Sequence, residues 1–169
     1  MNVFIIAALS ADGFIAKKKI QKSTDWTSDI DKAFFQDRTK KAGAVIMGYT
    51  TYQTIGKPLP NRLNLVYTKN PNKITQSENL KATHNSPKQL LKNLKDQGRD
   101  EVAIIGGASI YTMFLNAGLV NKLYLTVEPI LFGQGISLFD KSLDTKLKLI
   151  TVHHLSEQTI ALEYEVINN

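Results

Sequence analysis

Asp31 and Phe35 stand four residues apart and so share one face of a helix, with Trp26 just ahead of them. A carboxyl group beside an aromatic ring, at the mouth of a sheet, suits a flat heterocycle with donor groups along one edge. The same spacing also fits a capping box in which Ser28 caps the helix and Asp31 reaches back to it. Arg62 is one of three arginines and follows the stiff segment Lys57-Pro58-Leu59-Pro60-Asn61. A guanidinium held there is ready for bidentate carboxylate binding, or is an ordinary surface arginine. Gly106-Gly107 separates an apolar run from a helical pattern. Amides at a helix start make an anion site that glycine lets a phosphate approach, and a tight turn accounts for the pair as well. The chain has neither G-x-G-x-x-G at this position nor the GK[ST] of a P-loop. His153 and His154 lack partners at ligand spacing, so no metal is expected. Nothing local resembles a Ser–His–Asp arrangement.

These side chains need a scaffold, and the apolar pattern supplies one. Val3 to Leu9 is a continuous apolar run of the length of a strand buried on both faces. Ser10 to Thr27 is polar and reads as a long loop, with Asp12-Gly13 as turn chemistry. A helix is expected from the Ser28 cap to about Lys41, a strand over Ala44 to Met47, and a short helix over Thr50 to Ile55 that Gly56, Pro58 and Pro60 stop. Leu63 to Tyr67 reads as a third strand, closed by Asn70-Pro71. Ser86-Pro87-Lys88-Gln89 opens a helix to about Asp96, with Gln89 completing a capping box. Val102 to Ile105 and Leu123 to Val127 are strands on either side of a helix from Ala108 to Asn116. Leu147 to His154 and Thr159 to Ile167 form a closing antiparallel pair. The alternation implies one α/β domain over residues 1–169, with a largely parallel sheet and an antiparallel edge.

Composition narrows the class. Of 169 residues, 43% are hydrophobic and 21% charged, which excludes disorder, collagen-like repeats and coiled coil. No apolar run approaches the ~18 residues of a membrane span, and the chain has no cysteine for a disulfide framework. A cytoplasmic protein with no membrane partner is expected. Lysine and arginine outnumber aspartate and glutamate by 21 to 15. This balance favours anionic partners, from a phosphorylated small molecule to nucleic acid. The basic residues are scattered and not interleaved with aromatics, so no nucleic-acid platform is expected.

Taken in order, several segments resemble the dihydrofolate reductase family over most of the chain, from Val3 to about Asp140. They are Ile6-Ala7-Ala8-Leu9 with Asp12-Gly13-Phe14-Ile15; Trp26, Asp31, Phe35 and Thr39; Val45-Ile46-Met47-Gly48 followed by Thr51-Tyr52 and Ile55 to Arg62; Ile105-Gly106-Gly107-Ala108-Ser109-Ile110-Tyr111; and Leu123-Tyr124-Leu125-Thr126. The resemblance implies a three-layer α/β fold with a mostly parallel mixed sheet, an antiparallel C-terminal edge and helices on both faces. It implies NADPH-dependent reduction of dihydrofolate to tetrahydrofolate by a monomer or homodimer. Asp31, aided by Thr126, would anchor the pterin edge, and Trp26 would hold a proton-relaying water. Ile6, Ala7, Phe35, Ile55, Leu59 and Ile105 would wall the substrate, and Arg62 would bind its glutamate carboxylate. Ala8 and Ile15 would flank the nicotinamide. Gly48, Thr51, Thr68, Lys69, Gly106, Gly107, Ala108, Ser109, Ile110 and Tyr111 would line the cofactor.

The chain departs from the family at informative places. Tyr49-Thr50 stands where many bacterial relatives have Arg-His, and Ser109 where a basic residue is frequent. Lys69, or Lys17 to Lys19, is left to grip the cofactor's phosphates. The loop between Ile15 and Trp26 is longer than in common bacterial forms, which bears on its closing motion. Ser10 to Ala16, Asp25-Trp26 and Glu128 to Gly135 also resemble the reductase domain of riboflavin biosynthesis, which shares the fold and reduces a ribosylaminopyrimidine phosphate. A basic binding module without catalysis is the reading from another class.

Overall fold

The run Val3-Phe4-Ile5-Ile6 is apolar at every position because the strand that carries it has no solvent side. In the computed structural model, which describes residues 1–167, this strand, β1 (Asn2–Ser10), lies inside an eight-stranded sheet. Then follow β2 (Phe14–Ala16), α1 (Asp29–Ala42), β3 (Ala44–Gly48), α2 (Tyr49–Ile55), β4 (Leu63–Tyr67), β5 (Leu80–Thr83), α3 (Pro87–Asp96) and β6 (Glu101–Ile104). The chain continues through α4 (Ala108–Asn116), β7 (Lys122–Glu128), β8 (Ile136–Ser137), β9 (Lys146–His154) and β10 (Ile160–Ile167). The order across the sheet is β5-β4-β3-β6-β1-β7-β10-β9. Neighbours from β5 to β7 are parallel, and β10 runs antiparallel to both β7 and β9.

Strand periodicity sorts the core into two layers. Val3, Ile5 and Ala7 pack on one face with Leu90, Leu94, Ile110 and Phe114 of α3 and α4. Phe4 and Ile6 point the other way, toward Phe34 and Phe35 of α1 and Tyr52 and Ile55 of α2. The mixed sheet with helices on both faces is thus the architecture the sequence implies.

Three details differ. The segment Ser10 to Thr27 is not wholly irregular: β2 pairs with β8, and Ser23–Asp25 make a single 3-10 turn. At Gly135 the backbone lies so close to the Ala16 carbonyl that a Cβ has no room. The short edge strand β5 has only two buried residues, too few to show a pattern in sequence. At α3, Ser86 Oγ accepts from the Gln89 N–H, but the Gln89 side chain donates to Asn93 instead of closing a capping box.

Helix α1 is tied to the sheet by Arg38. Its guanidinium makes two 2.7 Å bonds to the Glu101 carboxylate and lies 4.0 Å from the centroid of the Phe4 ring. The Arg38 bond holds the Glu101 carboxyl below its ordinary pKa. A depressed carboxyl stabilises the fold above its unfolded value and loses that contribution as pH falls through the folded one. Glu101→Gln is therefore expected to cost about 1–3 kcal/mol at pH 7. The deficit should shrink toward zero in acid. Urea unfolding at pH 7 and in acid checks this, and an equal deficit at both would contradict the assignment.

Candidate active site

The carboxyl ends of β1, β3, β6 and β7 meet the starts of α1, α2 and α4, where ligands bind in open α/β sheets. Ser28 sits ahead of α1 in extended conformation, and its Oγ accepts from the Asp31 N–H at 3.3 Å. The reciprocal half of a capping box is not made by Asp31. Glu128, at the end of β7, accepts both the Ser28 N–H, at 2.9 Å, and the Ser28 hydroxyl, at 2.8 Å. The Asp31 carboxyl is left for other work.

Asp31 is 8% exposed. Burial raises its pKa above the ordinary carboxylate value; the Thr126 and Thr27 hydroxyls and Lys32 oppose the rise, and the Glu128 charge adds to it. Thr126 is wholly buried on β7. Its hydroxyl is near enough to Asp31 to favour the ion, yet it makes no hydrogen bond of good geometry within the protein. The buried Trp26 indole N–H is likewise without a partner, while the ring stacks edge-on against Phe132, 5.0 Å between centroids. A buried acid with an unpaired hydroxyl beside it is what a polar ring edge would satisfy.

Arg62 is set by the Pro58-Leu59-Pro60 turn, which the buried Asn64 side chain holds through the Leu59 N–H and the Leu59 and Arg62 carbonyls. Its guanidinium is not a surface group. It is 4% exposed and donates to the Pro60 carbonyl, Thr39 Oγ1 and Gln36 Oε1. Burial lowers its pKa, and no acid pairs with it among the described residues. Phe35, Ile55 and Leu59 belong to the same apolar layer.

On the other side of β1, Gly106-Gly107 is joined by a cis peptide bond. Gly48 N–H donates to the Gly106 carbonyl at 2.7 Å, and the Tyr111 hydroxyl donates to the Ile6 carbonyl at 3.0 Å. A Cβ on Gly106 would stand 3.3 Å from the Tyr111 oxygen and 3.4 Å from Thr51 Oγ1, and the positive φ of 122° there favours glycine, so a side chain at this position would be tight and strained. No side chain caps α4, leaving its first amides open to an anion. Farther along, a cavity of about 380 Å³ is lined by Tyr67, Thr68, Lys69 and His84, with no residue from α1 or β7. The Tyr67 hydroxyl is buried there without a partner, and burial pushes its pKa up to about 12. An open helix start, a cavity, an unpaired hydroxyl and a lysine fit a long, phosphorylated cofactor.

The family model described as dihydrofolate reductase matches residues 2–156. The chain belongs to the dihydrofolate reductase family. A dihydrofolate reductase of Buchnera aphidicola subsp. Baizongia pistaciae is 33% identical over 134 residues, covering 79% of this chain and 75% of that one. The uncharacterized protein YwjB of Bacillus subtilis is 27% identical over 151 residues, covering 84% and 85%. Among solved structures, a Thermotoga maritima diaminohydroxyphosphoribosylaminopyrimidine deaminase/5-amino-6-(5-phosphoribosylamino)uracil reductase has a TM-score of 0.81 at 18% identity. The match covers 98% of this chain but only 56% of that longer one, and shows the shared fold. The chain is a reductase of this family and fold.

Three of the expected residues stand apart from the arrangement described above. Ile6 faces α1, but the Ala7 methyl belongs to the opposite layer, with Ile110 and Tyr111. Ser109 is exposed. Lys17 lies over the Phe132 ring, 5.0 Å from its centroid. Among the described residues no group of three acidic or histidine side chains is placed to hold a metal, and no helix is long and apolar enough to cross a membrane.

Glu128 and Asp12 escaped residue-by-residue reading. Asp12 accepts from Ser10 Oγ at 2.6 Å, from Gly133 N–H at 2.6 Å and from Phe132 N–H at 3.1 Å, tying the loop after β1 to the loop after β7. The Ser10 bond leads those that hold its pKa down. Asp12→Ala should speed amide exchange at Phe132 and Gly133 by about tenfold and leave β1 unchanged. NMR-detected hydrogen exchange reads this, and unchanged protection at both amides would remove the clasp.

Proposed function

We propose that the chain reduces 7,8-dihydrofolate to tetrahydrofolate with NADPH. The observation that carries this reading is the buried Asp31 carboxyl with the unpaired Thr126 hydroxyl beside it, on the same apolar layer as a buried arginine that has no acid partner. NADPH, when bound, supplies the hydride. The protein's share is to hold the two rings in contact, exclude water and keep a proton available. Asp31 and Thr126 bind the amino and N–H edge of the pterin. Asp31 retains a proton more readily than an exposed carboxyl and supplies it, through water held by Trp26, to the ring nitrogen. Phe35, Ile55 and Leu59 wall the ring and its benzoyl extension. Arg62 exchanges its Gln36 contact for the substrate's carboxylate. Thr68 and Lys69 hold the adenosine end of the cofactor, and the amides of α4 its phosphates.

A second reading is a riboflavin-pathway-like reduction of a ribosylaminopyrimidine phosphate. It is supported by the Thermotoga neighbour, whose likeness extends over the C-terminal strands beyond residue 156, and by the Glu128 to Gly135 segment. The first test is loss of nicotinamide absorbance with NADPH and dihydrofolate, in the native chain and in Asp31→Asn. Turnover that the variant loses, with NADPH affinity intact, supports folate reduction. Tight NADPH binding without turnover turns the assignment to the pyrimidine.

Two further outcomes follow from the same assignment. Arg62→Leu should raise the KM for dihydrofolate about 10–100-fold. The KM for dihydropteroate, which lacks the glutamate, should stay put, and an equal rise for both would refute the carboxylate role. Asp31 also carries a stability cost. Its folded pKa is raised, so the native state binds more protons than the unfolded chain between the two values, and stability falls as pH rises through that window. Above it, Asp31→Asn should melt higher by roughly 2–4 °C for each kcal/mol relieved. A lower Tm at pH 7 would contradict a strained acid.

A further inference from the structure

Glu128 is a second buried acid beside Asp31, 3% exposed, and the proposed chemistry gives it no task. A carboxyl group is seldom buried merely to join two elements, because removal from water is costly. Its contacts lead in one direction. One oxygen takes both the backbone N–H and the hydroxyl of Ser28, and the other accepts weakly, at 3.4 Å, from Thr159 Oγ1 just before β10. By giving its proton to Glu128, the Ser28 hydroxyl turns a lone pair toward the Asp31 N–H, 3.3 Å away. The result is a chain of hydrogen bonds from the end of β7 to the first turn of α1, across 100 residues of sequence. In the parallel register of β1 and β7, Glu128 stands opposite Ser10, which bonds the Asp12 clasp.

We infer that Glu128 is a positioning residue: through Ser28 it fixes where Asp31 stands, and as a neighbouring negative charge it governs whether Asp31 carries a proton. The inference rests on Asp31 being the pocket acid of the proposed reaction, but its physical content is independent of which substrate is reduced. Like charges in a poorly hydrated site resist joint ionisation. The groups that act on Asp31 are Glu128 and Thr126 from β7, Thr27 from the preceding loop, and Lys32 from its own helix. Lys32 also pairs with the exposed Asp29 at 2.9 Å, so part of its charge is already answered. Glu128 is the one acid among these four, and its charge acts in the same direction as burial.

The experiment is a carboxyl 13C NMR titration of the free protein, with Asp31→Asn assigning the Asp31 signal. In Glu128→Gln, Asp31 should bind its proton about tenfold more weakly than in the native chain. Glu128→Asp restores the charge and should return the titration toward native. Ser28→Ala keeps the charge but cuts the hydrogen-bond chain, so it should leave the Asp31 midpoint near native while raising KM. An Asp31 midpoint that is the same in the native chain and in Glu128→Gln overturns the inference. Should Glu128→Gln not fold, the Glu128→Asp and Ser28→Ala variants decide: an Asp31 midpoint that Glu128→Asp holds near native supports the charge role, and one that Ser28→Ala moves as far as any change at Glu128 overturns it. In an activity assay Glu128→Gln should move the alkaline limb of kcat/KM, where Asp31 loses the proton it supplies, to lower pH by the same tenfold factor. If Asp31 responds to Glu128 while neither dihydrofolate nor the pyrimidine is turned over, the coupling stands and the assignment of function falls.

Discussion

Keeping one carboxyl group out of water at the end of a parallel sheet is the constraint from which the local architecture follows. Asp31 cannot be buried cheaply, so the surrounding groups must hold it without neutralising it. Ser28 caps the helix and Glu128 takes the reciprocal half of the box, which frees the Asp31 side chain from closing it. The hydroxyls of Thr126 and Thr27 temper the burial, and Lys32, the cation that acts on Asp31 among the described residues, also pairs with Asp29. A salt bridge to Asp31 would have given a more stable protein with a less basic acid.

The two faces of the sheet divide the labour. The layer under α1 and α2 is apolar and aromatic and carries Asp31 and Arg62 at its rim. The layer under α3 and α4 ends in a glycine turn with a tight, positive-φ position at Gly106. β1 belongs to both, since successive residues point to opposite layers. The Tyr111 hydroxyl reaches across to the Ile6 carbonyl, so the helix on the glycine side is bonded to the strand that walls the other pocket.

Much of this was legible in residue order. Apolar runs located the central strands, and Ser28 and Ser86 marked helix starts where the caps indeed form. Asp31, Phe35 and Thr39 share a helix face, and sequence alone brings them together. Arg62 was legible as a positioned guanidinium, but its burial was not, because Gln36 and Thr39 come from a helix 23 and more residues earlier. Glu128 was invisible for the same reason: spacing along a strand says nothing about a helix cap 100 residues away. The short strands β2, β5 and β8 were missed because a strand of two to four residues has too few positions to display a period.

The register of β1 sets the order in which the chain can fold as it is made. Its partners are β6, with Asn2 opposite Glu101, and β7, with Phe4 opposite Lys122. β1 is therefore an interior strand that is made well before its partners, and neither neighbour exists until about a hundred further residues have been synthesised. Until then the nascent chain carries an unpaired apolar segment with two sticky edges. β3, β4 and β5, which are consecutive in space and in sequence, are free to assemble meanwhile. The assembly of the candidate site, which needs β1 and β7 side by side, is thus among the last events of folding, and Asp31 meets Glu128 only then.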